Sequence, residues 1–226
     1  MRWKATTAIP TIAALVIALG GPPLLTIVAG RMLGDYPSLT MQLLCQLVLW
    51  AFFALILFVV IRMERMPLAS IGLRSPGWLT IVSAVLLALG VLYLLSPITS
   101  WLLNELGLPG FEKGVSKLRW LPVWFRLFMA LTGGVVEETL YRGYAVERLA
   151  LLTGRYWLGG LIAALMFGVA HIPGWGVGPA LVSDFAFGVV MTLFYLWRRD
   201  LLANIITHVT LLTVELLMLP PAPAGV

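Results

Sequence analysis

Long apolar runs separated by short polar stretches set the pattern of this chain. The runs cover residues 8–29, 39–61, 78–103, 121–152, 157–171, 180–197 and 201–219. Most reach the roughly 20 residues that a helix needs to cross a bilayer at ~1.5 Å per residue. The pattern predicts about seven membrane-spanning helices, and an eighth (seven to eight in all) only if one segment splits or re-enters. Gly20-Gly21-Pro22-Pro23 predicts a kink in the first run. The stretch I-P-G-W-G-V-G-P stops the fifth run after His171. Residues 104–120, with Glu105, Glu112, Lys113, Lys117 and Arg119, read as a partly helical interfacial segment.

Composition narrows the class. The chain has 226 residues, 61% of them hydrophobic and 11% charged, and its mean hydropathy is +0.99. That describes an all-α, polytopic transmembrane helical bundle with no room for a large aqueous domain. The single cysteine, Cys45, lies in an apolar run, which excludes a disulfide framework and a Cys-rich metal site. The net charge of +5 is scattered over segment ends, so it orients the chain in a lipid bilayer and makes no nucleic-acid patch. Arg62, Arg65, Arg74, Arg142, Arg148, Arg155, Arg198 and Arg199 join Arg2 and Lys4 on one side, against Arg31, Lys113, Lys117 and Arg119. The excess predicts a cytoplasmic N-terminus. The first run is too long for the core of a cleaved signal peptide and lacks its small-residue site. Trp78, Trp101, Trp120 and Trp197 stand at segment ends as interface anchors, and Arg126 is expected to snorkel. The expected division is 1–69 as N-terminal anchor spans and basic loop, 70–219 as the core, and 220–226 as a disordered tail.

Charge inside the apolar runs is the exception that points to function. Glu137, Glu138 and Arg142 sit in V-E-E-T-L-Y-R-G-Y. A charged side chain at mid-bilayer costs at least ~2.5–3.5 kcal/mol on insertion scales. Glu138 and Arg142 are four apart and can pair on one helix face, while Glu137 is rotated by about 100° and has no ion-pair partner on its helix. Gly133 and Gly134, one turn earlier, let another helix come close. The only histidines, His171 and His208, also lie in apolar runs. Phe167 and Asn204 are one turn before them on the same faces, and Asp184 and Glu215 are further carboxylates in spans. A bundle can bring Glu137, His171 and His208 together from three helices. Counting from the span ends places His171 nearer one membrane face and His208 nearer the other, so tilt or a break at Gly133–Gly134 has to level them.

A carboxylate with an imidazole can activate water, and the same three side chains can ligate zinc or another divalent metal with a fourth position for water. Both plans attack a carbonyl, and the sequence leaves both open, with a slight lean against a tightly bound metal because Arg142 is close. Other hydrolase plans fit badly. There is no H-E-x-x-H and no G-x-S-x-G, only Asp184 could serve an aspartyl dyad, and Cys45 has no nearby base. The bland reading makes Glu138–Arg142 an interhelical clamp, Phe167 packing for His171, and Asp184 and Glu215 structural or cavity-lining.

E-E-T-L-Y-R at 137–142, F-G-V-A-H at 167–171 and the histidine of N-I-I-T-H at 208 resemble three motifs of one family. These are the E-E-x-x-x-R, F-x-x-x-H and H-x-x-x-N/D motifs of the CPBP intramembrane proteases, which include Rce1-type CAAX prenyl endopeptidases and bacterial immunity (Abi-type) proteins. The resemblance spans residues 70–219. It implies that Glu137 activates water with His171, that Glu138 and Arg142 support the site, and that His208 belongs to the oxyanion side. It implies a peptide or membrane-protein substrate and, with the small size, a bacterial cell membrane. The chain departs from the third motif: Leu212 stands where Asn or Asp is expected. Asn204 is the expected substitute, from helical spacing alone. The leading reading is an intramembrane endopeptidase. A non-catalytic immunity or interaction protein that binds a peptide at the same site is the alternative, and a proton-coupled transporter comes third.

Overall fold

In hydrocarbon a backbone must satisfy its N–H and C=O groups within its own segment, so the apolar runs become helices. The computed structural model describes residues 5–33 and 38–219. The helices are α1 (Ala5–Leu33), α2 (Leu39–Met63), α3 (Trp78–Glu105), α4 (Glu112–Leu118), α5 (123–153), α6 (Tyr156–Trp175), α7 (Val177–Arg198) and α8 (Leu201–Leu217). A 3₁₀ turn, Leu68–Ile71, joins α2 to α3, and no strand occurs among the described residues. The chain is therefore a polytopic helical bundle. Arg2, Lys4 and the tail expected at 220–226 lie outside the described residues.

Among the described residues five helices are long and apolar enough to cross a membrane: α1, α2, α3, α6 and α7. The other two expected spans differ for separate reasons. α8 has 17 residues, and α5 holds Glu137, Glu138, Arg142, Glu147 and Arg148. The outer surface is apolar: Trp78 and Trp197 are each 73% exposed, while Glu138 and Arg142 are 0% exposed. This polarity, inverted from that of a soluble protein, makes the chain an integral membrane protein.

α1 continues as helix through Pro10, Pro22 and Pro23. One local expectation needs correction. α6 does not stop after His171 but runs through Pro173 to Trp175. A proline in the last turn removes one backbone donor. The chain leaves the helix at Gly176, whose φ of +100° suits glycine.

α5 is the central element. Val136, Leu140, Tyr141, Tyr144 and Ala145 pack in one core with Ala14, Leu15 and Ala18 of α1, Ile56 and Val60 of α2, and Phe167 of α6. A buried polar knot ties the same helices together. Glu64 of α2's end accepts from Arg148 Nε at 2.9 Å, Tyr144 Oη at 2.9 Å and Thr11 Oγ1 at 2.7 Å. Arg148, counted above as a loop charge, is thus an interior clamp, as is Arg142. Arg126's guanidinium donates to the carbonyls of Arg119 and Leu121, between α4 and α5, and of Leu216 in α8's last turn, where carbonyls have no partner within their helix.

Gly133–Val146 is π-helical, with backbone bonds running i→i+5 instead of i→i+4. The change of helix type begins at Gly133, one of the two glycines where a break was the alternative to tilt for levelling the histidines. Gly134 also sets how close α8 lies. A Cβ there would stand 2.8 Å from Val209 N and 3.1 Å from its Cα. Backbone cannot yield as a side-chain tip can. Gly134→Val should lower stability by roughly 1–3 kcal/mol, as overpacking does, read as a fall in the melting temperature of the detergent-solubilised protein. An unchanged melting temperature would show that α8 is free to move.

Candidate active site

The two adjacent glutamates face different surroundings. Glu138 is completely buried and accepts three hydrogen bonds. Arg142 Nη1 donates to Oε1 at 2.8 Å, His208 Nδ1 to the same oxygen at 2.9 Å, and Asn204 Nδ2 to Oε2 at 3.2 Å. The i,i+4 pair expected from sequence forms, but its carboxylate is also the junction of α5 and α8. Arg142 Nη2 reaches Gly188 O on α7 at 3.2 Å, and the guanidinium lies 4.4 Å from the Phe167 ring centre. An unpaired arginine in hydrocarbon is costly, and here carboxylate, carbonyl and ring all compensate it.

Glu137 takes no hydrogen bond among the described residues and is only partly buried. It lines two cavities of about 340 and 370 Å³, and His171 lines both with it. Glu137 is also close enough to His171, Asp184 and Tyr141 to act on each electrostatically.

Hydrogen bonds fix the tautomers. His171 Nδ1 is 2.8 Å from Phe167 O. A carbonyl only accepts, so Nδ1 carries the proton and Nε2 of the neutral ring keeps its lone pair. His208 Nδ1 likewise donates to the Glu138 carboxylate. Phe167 packs between the two rings, with centroids 4.5 Å from His171 and 6.1 Å from His208. Thus the histidines that counting had put at different depths meet across one phenyl ring. Phe187, which the motifs do not mark, packs on His208 at 4.9 Å.

The first cavity is largely apolar and extends between α1 and α2, past Leu25, Ala29, Cys45 and Leu49. The second is more polar, with Ser183, Asp184, His208 and Glu215 in its wall, so both of these carboxylates are cavity-lining. Leu212 borders both. α4 walls both as well, and Gly114 lets the Trp175 ring seat directly on that helix.

Asn204 does not fit the oxyanion role expected of it. Its two amide hydrogens go to Glu138 and to Met191 O at 2.8 Å, both pure acceptors, and it borders neither cavity. It holds Glu138 instead. Nor does the zinc alternative fit the donors as placed. Among the described residues no three His, Cys, Asp or Glu side chains are grouped so as to hold one metal ion.

Residues 119–213 match the family model of type II CAAX prenyl endopeptidases, Rce1-like. The match covers less than half of the chain. It is narrower than the 70–219 read from the motifs and leaves α3 outside, but it contains Glu137, Glu138, Arg142, Phe167, His171 and His208. No curated protein and no solved structure matches the chain.

Proposed function

We propose that this protein is an intramembrane endopeptidase that hydrolyses a membrane-associated peptide or protein tail with an activated water. The observation that carries the reading is the asymmetry of the glutamates: Glu138 is held by three donors, while Glu137 is unpartnered on the cavity walls beside His171. Glu137 accepts a proton from water, and His171 Nε2 is the second acceptor that orients it. The water oxygen attacks the scissile carbonyl carbon. The carbonyl oxygen becomes an oxyanion, and the captured proton passes to the departing amine as the C–N bond breaks. His208, with Nδ1–H on the Glu138 carboxylate, can carry a second proton at Nε2 and donate it as a hydrogen bond to the oxyanion. The apolar cavity between α1 and α2 suits an extended apolar segment arriving from the bilayer, a prenylated tail among them.

Leu212, apolar and on the wall of both cavities, favours a second reading, in which the site binds a peptide without cutting it. Purified protein in lipid vesicles, presented with a quenched apolar peptide library and with prenylated peptides, separates the two. Cleavage products identified by mass, with a rate unchanged by chelator, are expected. Peptide binding by folded protein without any product would leave the binding reading in place of the protease.

A further inference from the structure

Tyr141 carries a buried hydroxyl that the mechanism above does not use. The residue is 0% exposed, and its Oη has no hydrogen-bond partner. Leaving such a group unsatisfied in a protein interior is costly, and such groups call for an explanation. Its position supplies one. Tyr141 follows Glu137 by four residues on α5 and lines the apolar cavity together with Glu137, His171 and Leu212. Its ring is held edge-on against Phe167, with centroids 5.4 Å apart, so the phenol is fixed by the same side chain that separates the two histidines. The oxygen therefore belongs to a rigid part of the site and lacks only an acceptor.

Beside His208, the site lacks a second donor for the oxyanion. The amide that the third motif would put at position 212 is a leucine, and Asn204 is committed to Glu138 and Met191. We infer that Tyr141 Oη donates a hydrogen bond to the scissile carbonyl oxygen and to the oxyanion that forms from it, replacing the amide absent at Leu212. This assignment rests on the protease reading and adds a catalytic residue to it. A neutral phenol is an effective oxyanion donor because it needs no reorganisation and strengthens as charge develops on the acceptor. The proton stays on Tyr141 throughout, so the balance of the hydrolysis is unchanged.

The test is Tyr141→Phe, which removes one oxygen and keeps the ring against Phe167. In vesicles, kcat is expected to fall by roughly 10²–10³-fold, the loss seen when one oxyanion donor is removed, with KM unchanged. The melting temperature should hold or rise, because an unsatisfied buried hydroxyl is gone. Adding Leu212→Asn to Tyr141→Phe puts an amide back on the cavity wall and should restore part of kcat. A kcat equal to wild type overturns the assignment while leaving the protease reading standing. Loss of activity together with a lowered melting temperature, and without recovery from Leu212→Asn, overturns it in favour of packing. Wild-type protein that turns over no peptide overturns both.

Discussion

Glu137→Gln protein should fold and bind peptide like the wild type, yet hydrolyse it at least ~10²-fold more slowly, and up to ~10⁴-fold, the range for loss of a general base. The amide is nearly isosteric with the carboxylate but cannot take a proton from water. Stability should not change, because Glu137 makes no hydrogen bond among the described residues and faces cavities, not packed side chains. Single-turnover cleavage and a melting curve on the same preparation give both quantities. The combination is informative because the bland reading of a membrane carboxylate predicts the reverse: a structural glutamate loses stability first. Cleavage by the Glu137→Gln variant at the wild-type rate would remove Glu137 from the chemistry and with it the proposed mechanism.

That asymmetry was half legible in the sequence. Helical spacing showed Glu138 facing Arg142 and Glu137 facing elsewhere, because contacts within one helix follow from its period. Spacing is silent about what arrives from other helices. It put Asn204 on the His208 face, which is true, but the neighbour there is Glu138 from α5 and not a substrate oxygen. The glycines at 133 and 134 announced a close approach, and only the fold shows that α8 makes it, with Leu212 over Gly133 and Val209 over Gly134. The apolar runs gave the helices well, since hydrocarbon leaves a lone segment no other way to satisfy its backbone. The π-helical register of 133–146 carries no compositional mark, and Tyr141 looked like any aromatic of a buried helix until its hydroxyl proved to have no partner.

Glu138 should be the least replaceable side chain of the site, although it touches no substrate. Glu138→Ala leaves Arg142 and His208 buried without their carboxylate, and breaking a buried pair from one side costs about 3–5 kcal/mol. Glu138→Gln cannot rescue it. Both carboxylate oxygens accept, from Arg142 and His208 on one side and Asn204 on the other, so either orientation of the amide sets its NH₂ against a donor. Melting temperatures of both variants should fall well below that of Glu137→Gln. Activity should vanish too, because His208 loses the group that fixes its ring and its tautomer. A double variant parts the two effects. Glu138→Leu with Arg142→Met removes both charges and fills their volume with apolar atoms, which for buried pairs is neutral or stabilising. It should recover most of the lost stability and none of the turnover. Recovery of turnover as well would mean that His208 needs no carboxylate behind it, and that the buried triad of Glu138, Arg142 and Asn204 serves the fold alone.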